Sequence, residues 1–160
     1  MDKKGDSVED KNQYLKSLNF IKLSEGAIIP KRATIGSAGM DLYACMEKDV
    51  LLKPGERALI HTGIAIGLPN SEFVALIFAR SGLAVKHGIT LSNSVGVIDS
   101  DYRGEICVGL CNLGTEEYII KSGERIAQLV VMRVETPNPV EVDSLDETAR
   151  GEGGFGSTGK

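Results

Sequence analysis

The sequence predicts an all-β fold, a jelly-roll-like β-sandwich or barrel with one short helix, on three observations. Short apolar runs alternate with Gly- and Pro-bearing turns along most of the chain, and only Arg80 to Gly88 carries helix signals. The third observation is that the runs 73–78, 105–113 and 125–132 are apolar on both parities. Each is expected to be buried on both faces, which is more than the interior of one small sandwich requires. Part of that surface is therefore expected to lie under other copies of the chain, because it would otherwise stand as apolar patches.

A chain of 160 residues sets one domain with one proper core. Within it, residues 1–17 are polar and lack an apolar period, and they read as a flexible N-terminal extension with a helical turn near Tyr14. The core spans 18–136, and beyond Pro137 and Pro139 a polar C-terminal arm runs over 137–160. Leu18 to Leu23 forms the first strand, followed by a turn at Glu25-Gly26 and a bend at Pro30-Lys31-Arg32. Next, Ile35 to Ala44 leads through small residues into a strand bearing Asp41. Asp41 is either a plain strand-edge carboxylate or, with Gly36 and Gly39 letting backbone approach closely, one that faces a metal or its water shell.

Val50 to Lys53, a Pro54-Gly55 turn and Glu56 to Thr62 read as a hairpin; Thr62-Gly63 and Leu68-Pro69-Asn70 punctuate the strand that follows. After the apolar run Phe73 to Phe78, Ser81 suits a helix N-cap and Gly88 a C′ stop. Arg80, the Ser81 hydroxyl and the Gly82 N–H at that helix start suit a phosphate, or equally a cap beside a surface arginine. Ile89 to Leu91 and Val95 to Ile98 frame a second hairpin containing Asn93. The stretch Gly96 to Glu105 sets two carboxylates, a tyrosine and an arginine between glycines, and reads as another hairpin tip. Asp99-Ser100-Asp101 is ordinary turn chemistry as well as a candidate site.

Tyr118 to Lys121 is a short strand, 121–124 a turn, and Gln128 the lone polar side chain of the last apolar run. A buried amide left unpaired costs on the order of 1–3 kcal/mol, so Gln128 bonds backbone or faces a ligand. By composition Arg150 to Lys160 is a loose tail, yet Phe155 among glycines, flanked by Arg150 and the hydroxyls of Ser157 and Thr158, also suits a flap that closes over a ring and a phosphate. A P-loop is excluded, since glycine, lysine and hydroxyl do not follow in that order.

Composition excludes several classes. The net charge is -4, which opposes a broad nucleic-acid-binding face. No apolar run approaches a membrane span and no signal-peptide core follows Met1, so the expectation is a cytoplasmic protein with no membrane partner. The three cysteines, Cys45, Cys107 and Cys111, suit small core residues rather than disulfides. His61 and His87 fall at no zinc-type spacing from a cysteine, so no metal site is expected from them.

Five segments in this order give the chain a close resemblance to the trimeric dUTPases over about residues 20 to 160: Ala38-Gly39-Met40-Asp41-Leu42-Tyr43-Ala44, Arg80-Ser81-Gly82-Leu83-Ala84, Gly96 to Glu105, Gly123-Glu124-Arg125-Ile126-Ala127-Gln128-Leu129, and Arg150 to Gly159. One departure stands out, Ala79 where the family often has proline. The resemblance implies hydrolysis of dUTP to dUMP and pyrophosphate with Mg2+, in a homotrimer with shared active sites at subunit interfaces. It keeps uracil out of DNA and supplies dUMP for thymidylate synthesis.

By that resemblance Asp99 orients and helps deprotonate the attacking water. A carboxylate is a weak base at neutral pH, so positioning and charge neutralisation carry much of the acceleration. Asp41 holds Mg2+ through water; Arg80, Ser81, Gly82 and Gln128 grip the phosphates. Tyr102 packs on the deoxyribose, while Asn93, Val95, Gly96, Val97 and Ile98 read uracil. In the arm, Phe155 stacks on uracil, Arg150, Ser157 and Thr158 close near the γ-phosphate of a neighbouring subunit's site, and Gly156 is a further substrate-binding residue. Two alternatives share these residues: a nucleotide-sensing regulatory protein using the same site, and a dCTP deaminase relative.

Overall fold

The computed structural model describes residues 17–154 of the chain. Eleven strands and one helix follow in order: β1 Asn19–Lys22, β2 Met40–Tyr43, β3 Val50–Leu52, β4 Arg57–His61, β5 Ile64–Gly67, β6 Phe73–Ala79, α1 Ser81–His87, β7 Ile89–Leu91, β8 Gly96–Ile98, β9 Cys107–Asn112, β10 Tyr118–Ile120 and β11 Arg125–Arg133. All pairings are antiparallel. They give a four-stranded sheet β2-β11-β6-β8, a three-stranded sheet β4-β9-β7, and the pairs β1-β5 and β3-β10. The described strands pack as a sandwich and close no barrel.

The expected hairpins are not formed. The Pro54-Gly55 turn is present, with Glu56 N–H bonded to the Lys53 carbonyl, but β3 pairs with β10 and β4 with β9. Likewise β7 joins β9 while β8 joins β6, so neither 89–98 nor the 96–105 stretch is a hairpin; both cross between sheets. The turn residues reverse the chain, yet each strand finds its partner in a distant segment, as a jelly roll requires.

The core between the sheets holds Leu42, Ile60, Ile64, Ala127 and Leu129 with no exposure at all. Truncating one of these leucines or isoleucines to alanine typically costs 2–5 kcal/mol. Two polar residues share this interior. Thr62 donates its hydroxyl to the Ile106 carbonyl. Asn112 donates to the Leu52 and Glu116 carbonyls at 2.9 and 2.8 Å and accepts the Gly114 N–H at 2.8 Å, which satisfies its amide.

Within a single chain β6 is buried on one face only, whereas β9 is buried on both faces over Leu110 to Asn112 and β11 at Ile126 and Ala127. Along β6, Ala75 and Ile77 are buried, while Phe73, Val74, Leu76 and Phe78 are half-buried. Leu59, Val97 and Met132 on β4, β8 and β11 are exposed. Helix α1 begins one residue earlier than Ser81 suggested: Arg80 is the N-cap and no side chain caps the helix. Its C-terminal stop is Gly88, in the left-handed region at φ 71°, and a Cβ there would lie 2.3 Å from the Gly114 nitrogen, so only glycine fits. After Val134, whose N–H bonds the Glu72 carbonyl, residues 135–152 form no strand or helix and are exposed throughout.

Candidate active site

Two clefts carry the described candidate residues other than Val95 and Arg150. The first, about 430 Å³, opens where β2, β11 and the end of β6 meet. Antiparallel register sets Asp41 on β2 directly opposite Gln128 on β11, and Gln128 in turn opposite Phe78 on β6. Arg80 follows at the β6 exit. Its Nε donates to Asp41 Oδ1 at 2.9 Å, and its Nη1 donates to the Arg125 carbonyl at 3.2 Å. Arg125 Nη1 reaches the other Asp41 oxygen at 3.3 Å. Asp41 is only 14% exposed, so the two guanidiniums satisfy a carboxylate that would be costly to leave alone.

Gln128 bonds backbone, as its isolation among apolar residues allowed: Nε2 donates to the Ala79 carbonyl at 2.9 Å, and the residue lines the cleft. The Ala79 carbonyl is one that any residue type supplies, so alanine in the family's usual proline position leaves this bond intact. Ser81 and Gly82 line the same cleft at the start of α1, where the first N–H groups of a helix have no intrahelical acceptor. The cleft thus offers cationic and N–H donors beside one carboxylate, a donor set suited to a polyanion.

The second cleft, about 410 Å³, takes Asn93, Gly96, Val97, Ile98, Asp99 and Tyr102, with Leu59, Ile77, Glu105, Ile106 and Cys107. The stretch after β8 braces itself: Tyr102 N–H bonds the Asp99 carbonyl at 3.2 Å, and Arg103 Nη1 bonds the Ser100 and Tyr102 carbonyls at 2.7 and 2.8 Å. The Tyr102 hydroxyl donates to the Glu105 carbonyl at 2.9 Å, which folds the ring back over Gly104. A Cβ on Gly104 would lie 2.4 Å from that hydroxyl oxygen, so the ring's seat depends on glycine. Asp99 itself is exposed at the cleft mouth. Glu105 anchors the far end of the loop, accepting the Gly63 N–H at 2.8 Å on Oε1 and meeting His61 Nδ1 at 2.8 Å on Oε2. Burial pushes the Glu105 carboxyl up, but its bonds with His61 and the Gly63 N–H outweigh this and hold it below its ordinary value.

No described residue lines both clefts. Ile77 belongs to the second and its neighbour Phe78 to the first, and successive strand residues point to opposite faces. The candidate set is thus divided, Asp41, Arg80, Ser81, Gly82 and Gln128 lining the first cleft and Asn93, Gly96, Val97, Ile98, Asp99 and Tyr102 the second. Val95 is exposed on the loop before β8 and lines neither cleft. Arg150 turns back on its own arm, with Nε bonded to the Gly153 carbonyl at 2.8 Å, and lines neither cleft. Phe155, Gly156, Ser157 and Thr158 lie outside the described residues.

Sequence reasoning gave no role to Arg125, which pins Asp41, or to Glu105, which anchors the loop. A register shift between Arg125 and Ala127 in the β11-β2 pairing is what aims Arg125 into the cleft, and a bulge leaves no mark in the apolar pattern.

The family model for dUTPase matches residues 25–159. The chain belongs to the dUTPase family. Among curated relatives, the deoxyuridine 5'-triphosphate nucleotidohydrolase of Rickettsia canadensis (strain McKiel) is 58% identical over 82% of this chain and 88% of that protein. The one of Desulfitobacterium hafniense (strain DSM 10664 / DCB-2) is 47% identical over 92% of this chain and 98% of its own length. Among solved structures, a mutant dUTPase of Staphylococcus bacteriophage 80alpha with dUpNHpp superposes with a TM-score of 0.82 at 29% identity, covering 91% of this chain and 100% of that one. A mutant dUTPase from phage phi11 of S. aureus, whose description names a structural Mg(II) ion, gives a TM-score of 0.72 at 27% identity over 80% of this chain and 97% of its own.

Proposed function

We propose that this dUTPase-family chain hydrolyses dUTP to dUMP and pyrophosphate with Mg2+, and that it does so as a homotrimer whose sites are each assembled from more than one chain. The observation that carries the shared-site reading is the division of the candidate residues between two clefts that share no described residue. A single nucleotide needs phosphate ligands and a water-activating carboxylate together, so the first cleft of one chain has to meet the second cleft of another. The half-buried face of β6 and the exposed Leu59, Val97 and Met132 supply apolar surface for such contacts.

In this reading Asp99 accepts a hydrogen bond from the attacking water and takes part of its proton as oxygen bonds to the α-phosphorus. The bond to the bridging oxygen breaks, and pyrophosphate leaves. Arg80 and Gln128 with the Ser81 and Gly82 N–H groups hold the phosphates in line, positioning that is worth several orders of magnitude in rate. Tyr102 forms the wall for the deoxyribose, while the Asn93–Ile98 backbone and the Asn93 amide read uracil. A cytosine would leave donors facing donors, and such mismatches discriminate strongly. Asp41, already paired with two arginines, would hold Mg2+ through the ion's water shell rather than directly, and the ion would supply charge neutralisation for the phosphates. Residues 137–160 act as an arm carrying a lid, with residues 18–136 as the catalytic body and 1–17 as an extension. The curated relatives are named nucleotidohydrolases, which favours this reading over a purely regulatory protein or a deaminase.

Pyrophosphate release is measured from dUTP, dCTP, dTTP and UTP with Mg2+, expecting release from dUTP alone. Asp99→Asn and Arg80→Ala chains are then unfolded and refolded together. Assayed at dUTP well below KM, each alone is expected to keep no more than about a tenth of the activity, whereas random mixing in a trimer rebuilds roughly a quarter of the sites and raises it above either. No recovery, with mixed trimers present, would place the whole site within one chain.

A further inference from the structure

His61, Glu105 and Cys107 bring an imidazole nitrogen, a carboxylate oxygen and a thiol sulfur within 4.8 Å of one another. Spacing along the chain hid this group, because His61 and Cys107 are cross-strand partners on β4 and β9 rather than sequence neighbours. His61 is exposed and Cys107 and Glu105 half-buried, so an ion can reach them from solvent.

We propose that these three side chains form a binding site for a borderline transition-metal cation of the Zn2+ class, separate from the Mg2+ position at Asp41. The geometry carries it. The Cys107 sulfur and the His61 Nδ1 are 3.6 Å apart. Bond lengths of about 2.3 Å to sulfur and about 2.05 Å to nitrogen put that tetrahedral edge at roughly 3.6 Å. The Nδ1 to Glu105 Oε2 edge is 2.8 Å, a hydrogen bond that opens by about 0.6 Å to reach a tetrahedral edge of roughly 3.4 Å. Glu105 is aimed beforehand: its second oxygen is tied to the Gly63 N–H, which leaves Oε2 to face the ion and supplies the outer-shell contact that ligating carboxylates need.

The donor set selects the ion. Mixed nitrogen, sulfur and oxygen ligands suit zinc-like cations, whereas Mg2+ takes oxygen alone. A nucleophilic triad is the competing chemistry, and it fails on connectivity. Thiol and carboxylate both face Nδ1, whereas a relay needs the imidazole between them with one nitrogen for each. Coordination takes His61 as its Nε2–H tautomer and releases the thiol proton to solvent, and a water fills the fourth position.

The test titrates the full chain with Co2+ in excess Mg2+, followed by absorption. One Co2+ per chain is expected, with a near-ultraviolet thiolate-to-cobalt charge-transfer band that Zn2+ abolishes by displacement. The band is lost in Cys107→Ser, and Co2+ affinity falls at least about tenfold in His61→Ala, since even outer-shell losses cost that much. Circular dichroism checks that both variants fold, and His61→Ala, at an exposed strand end, carries the test if Cys107→Ser does not. Absence of the band, its persistence in Cys107→Ser, or its loss in Cys45→Ser instead overturns the proposal.

Discussion

In the first cleft Asp41 and Gln128 stand on paired strands, with Arg80 at a strand exit, and side-chain bonds hold all three in place; in the second, Asp99 and Tyr102 ride a loop braced by its own backbone. The difference follows what each would handle. A triphosphate is a fixed array of charge, best met by donors that cannot move. A carboxylate that must meet water and then a nucleotide needs exposure, which a loop crossing between sheets provides.

The largest effect that would sharpen this contrast is on chemistry alone. Asp99→Asn is expected to cut kcat by about 10²–10⁴-fold while dUTP still binds, read by turnover beside equilibrium binding of a non-hydrolysable analogue. Comparable turnover in the variant would take Asp99 out of its role. Removing residues 150–160 should leave the oligomer intact and lower turnover on the order of 10²-fold, since lost closure misplaces the reacting groups; full activity would end the lid assignment.

Within the first cleft the two arginines should separate. Arg80→Ala is expected to raise KM about 10–100-fold, having lost a charge-assisted contact and left a buried carboxylate short of a partner. Arg125→Ala, whose side chain is 50% exposed, should raise it by less than about fivefold, as weak ion pairs do. Equal effects would mean that the cleft is not ordered as its bonds suggest. In the second cleft, Gly104→Ala should destabilise the fold by about 1–3 kcal/mol and displace the Tyr102 ring, visible as a lower Tm.

The smallest effect lies outside both clefts, on β10. Burial, with the bond to Glu124, pushes the Tyr118 hydroxyl up to about 12, and His87 at the end of α1 packs on its ring at 4.9 Å. A pKa raised in the folded state means that the native form holds the proton more tightly. The contribution is therefore whole below pH 10 and lost as pH rises from 10 toward 12. Tyr118→Phe should flatten that part of the stability profile.

Strand positions and the short helix were legible in the sequence because they depend on local pattern: apolar runs, Gly88 in the left-handed region, turn residues at 54–55 and 121–124. Pairing was not. Apolar strands of similar length fit many partners, so β3 reads as the neighbour of β4 when it belongs to β10, and β8 as the neighbour of β7 when it belongs to β6. The roles of Arg125 and of the His61–Cys107 pair were hidden for the same reason, since each exists only through register. Ser81 misread as a cap is a one-residue boundary error; Arg80 takes that position with its side chain committed to Asp41.

The stretch 135–154, exposed but for a half-buried Gly153 and twenty residues beyond the last backbone bond to the body, can extend about 65–70 Å. That reach makes the arm a tether, and a tethered segment meets its target at an effective concentration in the millimolar range whatever the protein's dilution. On the proposed lid reading, closure is therefore expected to be independent of enzyme concentration so long as the proposed trimer holds. A synthetic peptide of residues 137–160, added to the truncated protein, should restore turnover only as it approaches that range.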